Sequence, residues 1–142
     1  MEISSQLTET IAVTKASERE SLIKFFSLEN KNVVYEQRIA GDFIKVKEVE
    51  QNPNGRLFAV AFFDDGLFRV RIFDVSLKNK EVDEVKVNEL IGLDRSTMVC
   101  PDFPDPYITC CWVDEYRLFI NLFHPNTVSH YHFIWDICYK RM

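Results

Sequence analysis

Arg56–Val75, RLFAVAFFDDGLFRVRIFDV, decides the fold. Its first half, Leu57–Phe63, is apolar without a break and is rich in Phe and Val. A run of that length is shorter than the roughly 10–12 residues expected of a helix, so it reads as a strand buried on both faces. Asp64-Asp65-Gly66 follows as a tight hairpin signal. After it Phe68, Val70 and Ile72 alternate with Arg69 and Arg71, the period of a half-buried strand. Two strands joined by a tight turn are antiparallel. The segment therefore predicts a hairpin inside a larger sheet.

The same rhythm extends both ways. Upstream, Val33–Gln37 is short and β-rich, and Asp42–Val49 alternates Ile44 and Val46 with Lys45 and Lys47. Pro53-Asn54-Gly55 marks the turn before Arg56. Downstream, Val82–Val87 alternates again after a turn at Asn79. Strands resume at Ile108–Val113, Arg117–Phe123 and Val128–Ile137, with Pro125-Asn126 between the last two. Between them lies a Pro-rich excursion, residues 88–107. Asn88-Glu-Leu-Ile-Gly-Leu has the makings of one helical turn, and Pro101, Pro104 and Pro106 then remove ladder donors. The expectation is a single β-rich domain over residues 1–142, built as an antiparallel up-and-down meander.

Ser17–Asn30 conflicts with that picture. Ser17-Glu18-Arg19-Glu20 matches a capping box, and Leu22, Phe25, Phe26 and Glu29 fall at helical spacing. Strand alternation there is poor, so the local signals favour a helix. A helix over residues 17–30 would make the fold α+β, one helix packed on a curved antiparallel sheet.

Composition narrows the classes. Of 142 residues, 46% are hydrophobic and 27% charged, which excludes a disordered chain. The formal charge of −5 opposes nucleic acid, because a polyanion asks for a cationic face. There are 12 Phe and only 4 Gly, and no glycine-rich phosphate loop occurs, so no cofactor is expected. No apolar run reaches the roughly 18–20 residues that span a bilayer. The opening MEISSQLTET lacks the basic and apolar regions of a signal peptide. The expected location is cytoplasmic or nuclear, away from membranes. Cys100, Cys110, Cys111 and Cys138 form no C-x-x-C pair and read as reduced thiols.

An internal repeat underlies the meander. Arg56-Leu57-Phe58 recurs as Arg117-Leu118-Phe119, each opening a strand, a turn and a second strand. Each copy closes on aromatic-Asp-aliphatic, Phe73-Asp74-Val75 and Trp135-Asp136-Ile137. A weaker copy starts at Phe26-Ser27-Leu28. With Asp65-Gly66 opening a hairpin, Phe73-Asp74-Val75-Ser76 and Glu81-Val82 after it, and the dipeptide Trp135-Asp136, the chain resembles the WD-repeat β-propeller family. The resemblance implies blades of four antiparallel strands. Phe43–Val49, Leu57–Phe63, Phe68–Val75 and Val82–Val87 would form one complete blade. Ile11–Val13, Leu22–Leu28 and Val33–Gln37 would belong to the blade before it. Ile108–Val113, Arg117–Phe123 and Val128–Ile137 would be three strands of the blade after it. No Gly-His dipeptide precedes a blade, and ten strands are too few to close a ring of at least about four blades.

Candidate chemistry is sparse. His130 and His132 stand two apart on a strand, so both imidazoles share a face, the geometry of an H-x-H metal pair. The simpler reading is a solvated face, with Tyr131 and Phe133 pointing inward. Asp64-Asp65 and Asp114-Glu115 read as turn residues. Arg69 and Arg71 share a face, as do Lys45 and Lys47 on a neighbouring strand, and together they suggest a basic strip on the sheet's exposed side that could receive an acidic peptide. The bland equivalent is charge placed to prevent edge pairing. Asp102, Phe103, Asp105 and Tyr107 set aromatic anchors beside acids within the Pro-rich excursion, as contact loops do.

No catalytic motif stands out. The reading these residues support is a non-enzymatic protein–protein interaction or scaffold module, a subunit of a larger assembly. Its partners would be proteins, added by strand pairing at an open sheet edge, with self-association as a further mode. The competing reading is a small ligand-binding or catalytic domain with a Phe-lined pocket and convergent Tyr35, His130 or His132.

Overall fold

The computed structural model describes residues 9–27, 29, 31–65, 67–75, 80–92, 107–124 and 129–137. The described elements in chain order are β1 (Glu9–Ser17), β2 (Glu20–Ser27), β3 (Val33–Ala40), β4 (Ile44–Gln51), β5 (Leu57–Asp64), β6 (Leu67–Asp74), β7 (Lys80–Lys86), α1 (Val87–Ile91), β8 (Tyr107–Trp112), β9 (Arg117–His124) and β10 (Ser129–Asp136). They form three antiparallel sheets. The first has the order β1-β2-β3, the middle β4-β5-β6-β7 and the third β10-β9-β8. Every pairing is between chain neighbours, so the expected up-and-down meander is what the chain adopts. No described helix is long and apolar enough to cross a membrane.

β5 shows why its sequence is apolar throughout. Leu57, Ala59, Ala61 and Phe63 face the third sheet, in a core with Val70, Ile72, Cys110, Leu118, Ile120 and Leu122. Phe58, Val60 and Phe62 face the first sheet, in a second core with Ile23, Phe25, Tyr35 and Ile39. A central strand between two stacked sheets has no solvent side, so period-two polarity disappears. The hairpin to β6 turns at Asp65, which holds a left-handed φ of 49° and lets Phe63 stack on Phe68, ring centroids 4.1 Å apart.

The helix anticipated at residues 17–30 is a strand instead. β2 pairs β1 on one side and β3 on the other, and its Ser21, Ile23 and Phe25 are buried in alternation. The capping signal has a clear structural counterpart. The Ser17 hydroxyl accepts from Arg19 N–H at 3.1 Å, the local bond an N-cap makes, but it closes the β1–β2 turn. Two flanking partners satisfy the β2 backbone and decide between the readings.

The repeat is real at the level of sheets and out of step at the level of residues. Val75 N–H donates to Arg56 O and Ile137 N–H to Tyr116 O, both at 2.8 Å. Asp74 lies opposite Leu57, whereas Asp136 lies opposite Arg117. Structural equivalence therefore matches Leu57 with Arg117, one residue away from the matching of the two Arg-Leu-Phe tripeptides. A shift of one residue exchanges the faces of a strand. Phe58 accordingly corresponds to Leu118, and both point back toward the preceding sheet.

α1 covers the position where the chain leaves β7. The Asn88 side-chain oxygen accepts from Phe68 N–H, tying α1 to β6. Gly92 ends the helix at a left-handed φ of 72°. The helical turn anticipated at Asn88 is present, and residues 93–106 lie outside the described residues.

Candidate functional site

The middle and third sheets are joined by polar bonds at one end of their interface. Asn52 is fully buried. Its side-chain oxygen accepts from Leu57 N–H at 3.0 Å, and its amide donates to Glu115 O at 2.9 Å. Beside it, Cys110 N–H donates to a Glu48 carboxylate oxygen at 2.6 Å, and Trp112 Nε1–H donates to Glu50 O at 2.9 Å. Trp135 Nε1–H reaches Asp83 at 2.9 Å.

These contacts set the local electrostatics. Burial, and then the neighbouring Glu48 charge, push the Glu50 carboxyl above its ordinary value. Glu50 therefore binds its proton more tightly folded than unfolded. The stability this adds is present at acid pH and is lost as pH rises through its folded pKa. Glu50→Gln should raise the melting temperature at neutral pH and leave it unchanged below the ordinary carboxylate range, as thermal melts at the two pH values would show. Burial and the charges of Glu48 and Glu50 also push the Cys110 thiol far above the ordinary thiol range. Cys110 should resist alkylation until the protein unfolds, which peptide mass spectrometry after iodoacetamide treatment will read.

The third sheet turns a different surface outward. Leu118, Ile120 and Leu122 point to the middle sheet, so Phe119, Asn121 and Phe123 point away. Cross-strand pairing arranges that outer face in rows. Tyr107, Phe123 and His130 form one, Thr109, Asn121 and His132 the next, and Cys111, Phe119 and Ile134 the third. Tyr107 is 50% exposed and Ile134 56% exposed. The Tyr107 and Phe123 ring centroids are 5.4 Å apart, and His130 lies 4.7 Å from Phe123. The Asn121 side-chain oxygen is buried without a hydrogen-bond partner. Beside β10, the outermost described strand of its sheet, an open groove of about 320 Å³ is lined by Leu90, Phe133, Ile134 and Trp135.

The anticipated residues fall as follows. His130 and His132 are exposed on this outer face with ring centroids 5.9 Å apart, and Tyr131 and Phe133 pack inward. No described group of three or more His, Cys, Asp or Glu side chains is arranged to hold a metal ion. Tyr107 is at the edge of the same face, while Asp102, Phe103 and Asp105 lie outside the described residues.

The basic strip is not assembled. β5 separates β4 from β6. Lys45 pairs with Phe63 on the side toward the third sheet, whereas Arg69 and Arg71 pair with Phe62 and Val60 on the side toward the first. A bulge between Val46 and Glu48 takes Lys47 out of the alternation. Arg71 is engaged by Glu84 at 2.7 Å and lies 4.9 Å from the Phe62 ring.

Tyr35 does not converge with the histidines either. It is buried between the first and middle sheets, and its hydroxyl donates to Gln37 at 2.9 Å. Asp114 sits in the turn before β9, where its carboxylate accepts from Tyr116 and Arg117 N–H, as its turn reading expects. Phe119, Asn121, Phe123 and Ile134 were not singled out from sequence. A usable signal was there: the outward positions of β9 carry Phe119 and Phe123 beside Arg117 and Asn121.

Three antiparallel sheets, paired strand by strand in chain order and packed face to face, have the form of blades of the β-propeller type. Among solved structures, Hsv2 of Kluyveromyces lactis with loop 6CD replaced by a Gly-Ser linker matches with a TM-score of 0.51 and 15% identity. The match covers 90% of this chain and 44% of that one. Hsv2 of Kluyveromyces marxianus matches with a TM-score of 0.49 and 16% identity, over 92% of this chain and 45% of that one. Hsv2 is a β-propeller protein. At such identity the first likeness shows the fold alone, and the chain spans less than half the length of these propellers. No family model and no curated protein matches the sequence.

Proposed function

We propose that this chain is a non-enzymatic protein–protein interaction module of WD-repeat type, a subunit of a larger assembly in the cytoplasm or nucleus. One observation carries the reading. The middle sheet has four strands, and the third has three, with β10 at its edge and an apolar groove beside it. An extended protein segment fits there, its backbone pairing with β10 and alternate apolar side chains meeting Leu90 and Trp135. The competing pocket reading has less support, since the Phe rings meet one another. Phe58 lies 5.0 Å from Phe25 and 5.3 Å from Phe73.

The test is hydrogen exchange over residues 129–136, in the purified chain and in the complex recovered through it from its native source. Strong added protection of β10 in the complex is the expected result. Equal exchange in both states would remove strand addition as the mode of binding.

A further inference from the structure

We propose that the seam between β4 and β8 is a proton-controlled joint. Glu50 takes up a proton as the pH falls, and the third sheet then seats more firmly on β4. The inference does not depend on what binds at β10.

A bulge builds the joint. Val46 and Val49 both pack toward the first sheet, three residues apart, which unbroken alternation does not allow. The register shift between Val46 and Glu48 absorbs the extra residue. It re-aims Glu48 and Glu50 to the opposite face, toward the third sheet, as bulges do where a strand must present a particular side chain. There Glu48 lies opposite Ala61 and Glu50 opposite Ala59. Both alanines face the third sheet, and their small side chains leave room for two carboxyls.

β8 closes the seam over them. Cys110 N–H donates to the Glu48 carboxylate at 2.6 Å, and the Trp112 indole N–H to the Glu50 backbone oxygen at 2.9 Å. The Glu48 carboxylate thus does for β8 what the carbonyl of a neighbouring strand would do. Being an ionised acceptor, it makes the stronger bond.

Few ionisable groups face Glu50. Glu48 is on its own strand. From β8 comes the Cys110 thiol, which burial and the two carboxylates keep in its neutral form. β5 contributes only alanine at these positions. The Lys47 ammonium lies over the Phe63 ring at 6.0 Å. In the turn before β9, Asp114 is held by Arg117 at 2.7 Å, and the Glu115 carboxylate accepts from Asn54 N–H at 3.2 Å. Burial, and then the Glu48 charge, raise the Glu50 carboxyl, and no described cation opposes them. Opening the seam admits water around both carboxyls and relieves both effects. Glu50 therefore holds its proton more tightly with the seam closed, and proton uptake favours closure. The gain is present at acid pH and is lost as pH rises through the closed-state pKa of Glu50. With Glu50 neutral, the bond from Cys110 to Glu48 no longer forms beside a second buried charge.

The test is amide hydrogen exchange of the full chain by nuclear magnetic resonance, from neutral pH down to the ordinary carboxylate range, corrected for the intrinsic pH dependence of exchange. Protection of the Cys110 amide should rise about threefold or more on the acid side, since each unit of difference between the open and closed pKa is worth a factor of ten. The Trp112 indole proton should follow it. The Ile23 and Phe25 amides, in the first sheet, should not. Glu50→Gln should hold Cys110 at the higher protection across the range. Glu48→Ala should lower it at every pH, because the Cys110 N–H loses its acceptor. Protection at Cys110 that is constant with pH overturns the proposal. So does a rise shared equally by Ile23 and Phe25, or one that persists unchanged in Glu50→Gln.

Discussion

Phe58→Ala is expected to cost about 3–5 kcal/mol of folding stability, the range for truncating a fully buried aromatic ring. Phe58 is 0% exposed. Its ring touches Phe25 at 5.0 Å, Tyr35 at 5.6 Å and Phe73 at 5.3 Å between centroids. Two of these partners belong to the first sheet and one to β6. Phe58 is thus the point through which the first sheet is docked on the middle one. Its removal leaves a cavity that three rings cannot fill without losing their mutual geometry. Set against a typical total of about 5–15 kcal/mol, the loss is large. Urea titration should show a lower midpoint, and hydrogen exchange should show β2 and β3 losing protection before β8 and β9. Phe58→Leu keeps most of the volume and should cost clearly less. A loss under about 1 kcal/mol for the Ala variant would mean that the two sheets are not packed through this ring.

Asn52→Ala is the second large effect, about 2–3 kcal/mol. The side chain is small, and the loss is one of hydrogen bonding. Leu57 N–H opens a buried strand and is answered by the Asn52 oxygen at 3.0 Å. The Asn52 amide in turn answers Glu115 O at 2.9 Å. Taking the side chain away leaves a buried donor unsatisfied, which costs about 1–3 kcal/mol, and frees the turn before β9 from the middle sheet. Asn54→Ala, two residues on and exposed, removes a local bond to Arg56 N–H and should cost about 0.5–1 kcal/mol. Chemical denaturation of the two variants side by side will show the difference. Equal effects would mean that Asn52 does not join the sheets.

Asn52 also shows what a local reading misses. Asn54-Gly55 announces the turn from residue type alone. Asn52 looks like one more turn residue, and only the arrival of Glu115, far along the chain, makes it a fastener between sheets. The candidate site follows the same logic. His130 and His132 were legible as an exposed pair because alternation fixes which residues share a face. Their neighbours Phe119 and Phe123 were hidden in a strand that reads as core. The place of β10 at the side of its sheet, among the described strands, follows from their order in the chain, whereas the groove beside it needs α1 brought against the sheet.

The strands, their turns and their antiparallel order are written in the chain itself. Alternation, Asp-Gly and Asn-Gly turns and short connections are local features, and the tight hairpin between β5 and β6 admits only an antiparallel partner. Three matters were settled only when the sheets came together. Ser17–Ser27 holds a capping box and helical spacing, and it became a hairpin because strands on both sides of β2 satisfied its backbone. The two Arg-Leu-Phe tripeptides match letter for letter and face opposite ways, because register belongs to the pairing of strands. The lysines of β4 and the arginines of β6 were kept apart by β5 and by a bulge. The physical reason is common to all three. A side chain's periodicity is carried by its own strand, but the face it looks out on is assigned by what packs against that strand, and that information lies elsewhere in the chain.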